Sequence, residues 1–166
     1  LELLIGRLDV DGKTMKGGLS FNGNKQAEEV HCWIQRAFPK NIPGDVNAQA
    51  PVSTAATVKA FKANPHLQEV MKNCLRYYLN FMGYNLIEND ATITFEKRPD
   101  FYVRIQNIVD RPHNFSRISR VITSLDQHGL TRHSEAFKNL VTKALPQEHP
   151  ECRKATTESI QYWRGS

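Results

Sequence analysis

The sequence predicts an all-α fold, an irregular orthogonal bundle of about seven helices with one small β-hairpin near residues 84–97. Three observations predict it. Apolar residues recur at three- and four-residue spacing over most of the chain. Proline, glycine and short polar residues cut that pattern into brief segments. No strand–helix–strand alternation appears between them.

Residues 1–23 read as an irregular segment rich in glycine and polar side chains. From Asn24 the pattern becomes helical, and residues 24–163 read as the helical core. Asn24 is the expected cap of a helix running to Phe38, with Ala27, Val30, Ile34 and Ala37/Phe38 inward and Pro39 as its end. Asn41 to Pro51 reads as a loop, and Ser53 or Thr54 opens a short helix with Val58 and Phe61 inward. Asn64-Pro65 is a restart signal, because Asn caps and proline at the first helical position loses no hydrogen bond. The helix that follows carries the clearest stripe in the chain, Leu67, Val70, Met71, Cys74, Leu75, Tyr78, Phe81 and Met82, and Gly83 is its expected terminator. It reads as the central core helix.

Between residues 84 and 97 the period changes to two. Ile93 and Phe95 alternate with polar neighbours, and Glu88-Asn89-Asp90 reads as a turn, which predicts the hairpin. Pro99 is expected to open a helix to about Asp110, with Phe101, Ile105 and Ile108/Val109 inward. Asn114 is expected to cap the next, with Ile118, Val121, Ile122 and Leu125 inward and Gly129 as its stop. Thr131 is expected to cap another that ends before Pro146, and Pro150 opens the last, with Cys152, Ala155, Ile160 and Trp163 on one face.

The 166 residues are 40% hydrophobic and 23% charged, ordinary values for one globular domain, taken here as residues 1–166. No apolar run approaches the ~18 residues that span a bilayer, so no membrane insertion is expected. Three widely spaced cysteines, Cys32, Cys74 and Cys152, form no disulfide framework and point to a reducing, intracellular compartment. The net charge of +5 is spread along the chain, so nucleic acid is a permitted partner but is not demanded by the charge.

Motifs for chemistry are sparse. Gly17-Gly18 has no following Lys-Ser/Thr pair, so it is not a phosphate loop. His149/Cys152 and His128/His133 lack further ligands nearby, so no metal or other cofactor is expected. His31 and Cys32 are helix neighbours that point about 100° apart and do not form a nucleophile–base pair.

One constellation suits an anion. In Arg111-Pro112-His113-Asn114-Phe115-Ser116-Arg117-Ile118-Ser119-Arg120, the expected helix start at Asn114 offers free N–H groups and a positive dipole end beside His113. Arg117 follows one turn on, and Arg120 about one turn further along the same side. Gln35, an amide on an otherwise apolar face, is a further candidate lining residue. The structural alternative is that the arginines pair with carboxylates such as Asp100 or Asp110, that Asn114 only caps and that Gln35 makes an internal hydrogen bond.

The same stretches carry a resemblance. Val30-His31-Cys32-Trp33-Ile34-Gln35-Arg36-Ala37-Phe38-Pro39 resembles the His-x-x-Ile-Gln-x-x-Phe-Pro stretch of the opioid growth factor receptor conserved domain. Ala50-Pro51-Val52, Phe61-Lys62-Ala63-Asn64-Pro65, and then Tyr78, Phe81 and Gly83 continue it. Arg104-Ile105-Gln106-Asn107, His113-Asn114 and Arg117-Ile118-Ser119-Arg120-Val121-Ile122 resemble the family's His-Asn-x-x-Arg-Ile-Thr-Arg-Ile-Leu region, and Arg104 joins the candidate anion-binding residues. The chain departs at Arg36, where the family usually has Trp, and over residues 84–97.

The resemblance covers roughly residues 11–163 and is similar to short microbial, fungal or phage-type members. It implies a receptor-like domain. Animal members are described as receptors for an enkephalin peptide, associated with the nucleus and with growth control. The expected function is a non-enzymatic module that binds a protein or peptide, in the cytoplasm, or in the nucleus if the source is eukaryotic. Its candidate contact surface is His113, Asn114, Arg117, Arg120, Gln35 and Arg104. Two other readings use the same residues: a nucleic-acid or nucleotide-binding surface, and an enzyme with His113 as acid or base.

Overall fold

The computed structural model describes residues 28, 33–43, 50–152, 159 and 163. The expected N-terminal segment, the Asn24 cap and the side chains of Ala155 and Ile160 lie outside these residues. Within them the protein is mostly helical. Helices α1 (Trp33–Ala37), α2 (Ala55–Ala63) and α3 (Pro65–Met82) precede strands β1 (Tyr84–Glu88) and β2 (Ile93–Lys97). Then come α4 (Phe101–Val109), α5 (His113–Gln127), α6 (Thr131–Asn139), a π-helical turn (Leu140–Ala144) and α7 (Leu145–Glu148).

Several element ends follow from local chemistry. Thr54 caps α2 by accepting from the Thr57 N–H at 3.1 Å. Asn64 caps α3 by accepting from the His66 N–H at 3.0 Å, with Pro65 at the first helical position. Gly83 ends α3 in the left-handed region at φ +95°, and the space there has no room for a Cβ, which would lie 2.9 Å from the Phe101 Cα. Gly129, at φ +87°, turns the chain from α5 into α6.

Four expected boundaries differ. Helix α4 starts at Phe101 rather than at Pro99, because the Phe101 N–H closes a turn onto the Arg98 carbonyl at 3.0 Å. Helix α5 starts at His113, because the Asn114 and Phe115 N–H groups already bond to Arg111 and Pro112 at 2.9 and 3.0 Å. Asn114 is therefore not a cap, and its side chain turns into the interior. Thr131 is the first residue of α6, with Leu130 in the cap position and no side-chain cap. Pro146 does not end the α6 run. The π turn moves the Leu145 N–H onto the Leu140 carbonyl, which escapes the spacing of four that a proline ring would clash with, and α7 carries Pro146 in its first turn.

Helix α3 runs through the centre. Leu75, Tyr78, Leu79 and Met82 are fully buried, and Tyr77 is nearly so, which makes its buried face wider than a single stripe. Tyr78 sits edge-on to Phe38 and to Phe137, joining α3 to the end of α1 and to α6. Ile105 and Ile108 from α4, and Ile118, Val121 and Leu125 from α5, close the same core together with Cys152 and Trp163.

The hairpin is a two-stranded antiparallel sheet with Leu86 opposite Phe95. Asn89 Oδ1 shapes its turn by accepting from the Ala91 and Thr92 N–H groups at 3.0 and 2.8 Å. Strand β1 lies along α3 and β2 lies beside α6. Glu88 ties these parts together, taking Lys72 Nζ of α3 at 3.0 Å, Arg76 of α3 at 3.4 Å and His133 Nε2 of α6 at 3.0 Å. A parallel bridge between Lys40 and Val52 closes the loop before α2. Ser53 Oγ then meets His128 Nε2 at 2.9 Å, and His128 Nδ1 lies 2.7 Å from the Ser124 carbonyl, pinning that loop to the end of α5.

Candidate functional site

The anion-suited stretch already faces an anion, the carboxylate of Glu28. Glu28 is 7% exposed and helical, and it meets the start of α5 and the end of α4. Its Oε2 accepts from the Asn107 amide at 2.8 Å and from the Asn114 amide at 3.3 Å, and Arg111 stands 3.8 Å away. His113 Nε2 lies against Oε1. Arg117 donates to Asn114 Oδ1 at 3.1 Å and to the Glu28 backbone carbonyl at 3.2 Å.

Burial alone would raise the Glu28 carboxyl. Hydrogen bonds from Asn107 and Asn114, and the charges of Arg117 and His113, outweigh that and hold it below its ordinary value. Burial also lowers Arg117, partly offset by Tyr78 and Glu28. Asn114 and Arg117 are 0% and 5% exposed, so they face this interior contact; His113 stays open to solvent with a side chain 41% exposed.

The other expected residues are not gathered into one surface by any contact seen here. Arg120 donates to the Phe38 carbonyl at 3.3 Å, bracing the end of α1. Arg104 is buried, with Nε on Asp100 Oδ2 at 2.6 Å and NH1 on the Asn80 carbonyl at 2.9 Å, so it locks α4 to α3. Gln35 is half-buried on α1. Of the two carboxylates that the structural alternative offered to Arg117 and Arg120, Asp100 takes Arg104 and Asp110 takes the Gln106 amide, while Arg117 donates to the Glu28 backbone carbonyl.

A second feature carries no signature in the sequence. A groove of about 840 Å³ runs between β2 on one side and α6 with the π turn on the other. Ile93, Phe95, Ala136 and Leu140 supply apolar walls, with Arg132 and Lys143 among the polar residues at its border. Lys97, also in the lining, pairs with Glu148 Oε2 at 2.5 Å. Arg132 donates to the Asp90 and Ala91 carbonyls at 3.1–3.4 Å, so its charge has no carboxylate on it among the described residues.

No signal in the sequence pointed toward the groove, whose lining comes from residues 84–97 and 132–148, brought together only by the fold. Glu28 had no signal, since its partners are about 80 residues away in the chain.

Among the described residues no group of His, Cys, Asp and Glu is placed to hold a metal ion, and no helix is long and apolar enough to cross a membrane. The model of the opioid growth factor receptor conserved region matches residues 20–164. The chain belongs to the opioid growth factor receptor family.

Among its relatives, the human opioid growth factor receptor is 36% identical over 103 residues, covering 62% of this chain and 15% of the human protein. The rat opioid growth factor receptor is 35% identical over 103 residues, covering 62% of this chain and 17% of the rat protein. Opioid growth factor receptor-like protein 1 of Xenopus tropicalis is 27% identical over 124 residues, covering 75% of this chain and 23% of that protein. The chain thus spans less than a quarter of each of these three relatives. They are vertebrate proteins and give no support to the expected microbial, fungal or phage type. No solved structure matches the chain.

Proposed function

We propose that this opioid growth factor receptor family domain is a non-enzymatic binding module for a protein or peptide, and that the groove between β2 and the α6–π segment is its contact surface. The groove carries the reading. Its volume of about 840 Å³, with apolar residues and charged side chains in its lining, suits a polypeptide segment. The names of its relatives, several of them called receptors, agree with a binding role.

The helix-start cluster supports this reading from behind. Asn114 and Arg117 spend their polar groups on Glu28, which fixes α4 and α5 under the core. An external anion at that surface has to compete with a carboxylate already in place.

The test is selection of a random octapeptide library on the purified protein, followed by titration of the enriched peptides against wild type and Ala136→Arg. Ala136 is half-buried in the groove wall, and arginine there fills the groove from the α6 side. Affinity is expected to fall by about tenfold or more, roughly 1.4 kcal/mol. Peptides that bind the variant equally well would sink the groove reading. Tight nucleic-acid binding that weakens steeply with salt would favour the alternative partner.

A further inference from the structure

We infer that the groove takes an extended, acidic peptide segment as a third strand on the outer edge of β2. The inference rests on the binding reading above. The ladder of the hairpin fixes which backbone groups are open. The Arg98 N–H bonds to the Gly83 carbonyl at 2.9 Å, and the Asn89 N–H bonds to the Thr92 carbonyl at 3.0 Å. In an antiparallel pair the inward-bonding residues alternate, so Thr92, Thr94, Glu96 and Arg98 face β1. Ile93, Phe95 and Lys97 therefore point their N–H and C=O groups away from β1, and all three line the groove.

Among the described residues no strand pairs with this edge of β2, which has α6 across the groove, whereas β1 lies along α3. A free edge is a template for another strand, and a lysine on it is a common guard. Here Lys97 is drawn onto Glu148 of α7. That contact leaves the edge less guarded.

Charge selects the occupant. Lys97 and Glu148 cancel each other. Arg132 is held by neutral carbonyls, and the exposed Lys143 has no carboxylate partner among the described residues, against Glu135 alone. The remaining field is positive, and it favours a segment with carboxylates. Apolar side chains alternating with them would meet Phe95, Ala136 and Leu140.

The probe is the blocked pentapeptide acetyl-Glu-Val-Glu-Val-Glu-amide, titrated into nitrogen-15-labelled protein. Two analogues are compared with it, one N-methylated on the valines and one on the glutamates. Strand addition uses only one edge of the peptide. One analogue is therefore expected to bind like the parent and the other about tenfold more weakly.

Ile93→Pro removes an outward N–H without touching the ladder and is expected to weaken the parent to a similar degree; the circular dichroism spectrum checks that it folds. Acetyl-Lys-Val-Lys-Val-Lys-amide is expected to bind more weakly than the parent. Equal binding of both methylated analogues, no binding of the parent, or preference for the lysine peptide each overturns the inference. A dimer in sedimentation equilibrium that Ile93→Pro dissolves also overturns it, in favour of a second copy. The binding reading survives these outcomes if library peptides still depend on Ala136, and falls with the inference if they do not.

Discussion

Glu28 and Asn114, 86 residues apart in the chain, meet in the interior, where the Asn114 amide donates to Glu28 Oε2 at 3.3 Å. Arg117 closes the triangle by holding both Asn114 Oδ1 and the Glu28 carbonyl. The helix-start cations thus hold the fold together from inside.

This arrangement separates the two arginines of α5. Arg117→Ala removes the donor to Asn114 Oδ1 and to the Glu28 carbonyl and the nearby buried charge, and is expected to cost about 3 kcal/mol in urea unfolding. Arg120→Ala removes one bond to the Phe38 carbonyl and is expected to cost about 1 kcal/mol. Glu28→Ala is expected to match Arg117→Ala, and the double variant to lose clearly less than the sum.

Acid should weaken the protein in two stages. His128 and His133 are lowered from 6.5, first by burial, against partial offset from the Ser124 carbonyl and from Glu88. The unfolded chain then binds protons more readily than the folded one, so their share of stability is whole above that value and drains as pH falls below it. Glu28, Glu88 and Asp100 are lowered from 4.5, 4.5 and 3.8, because bonded amides and cations outweigh burial. Their share is present above those values and is lost as pH falls through the depressed ones. Urea midpoints between pH 8 and pH 3 should show both limbs, with His128→Asn flattening the upper and Glu28→Gln the lower.

The two left-handed glycines should respond unequally. Gly83→Ala drives a Cβ to 2.9 Å from the Phe101 backbone, which cannot swing away. Gly129→Ala meets Lys62 Cγ at 2.9 Å, on a flexible chain. Both suffer the strain of positive φ, about 1 kcal/mol, and Gly83→Ala should lose about 2 kcal/mol more by thermal unfolding.

Much of this frame was legible because the signals are local. Asn64-Pro65, Gly83, Gly129 and the alternation at Ile93 and Phe95 act within a few residues, and each fell where its backbone chemistry required. Asn114 misled because a capping residue and a buried amide look alike in one dimension. Its distant partner Glu28 decides between them. Pro146 misled because a π turn can absorb a proline that a regular helix cannot. The groove was illegible, since its walls come from a strand and a helix that meet only in the folded chain.

Burial pushes the Cys74 and Cys152 thiols up to about 12. Few thiolates form at pH 8, so both should alkylate with iodoacetamide at least about a hundredfold more slowly than a free thiol. Peptide-resolved mass spectrometry of the native protein checks each site, and denaturant should restore ordinary rates.

The most direct test of the binding reading is a map of backbone amide shifts as a library-selected peptide is titrated in. Shifts should concentrate on Ile93 to Lys97 and on Ala136 to Ala144, with His113 to Arg120 unchanged. Shifts confined to His113 to Arg120 would contradict it and return the contact surface to the start of α5.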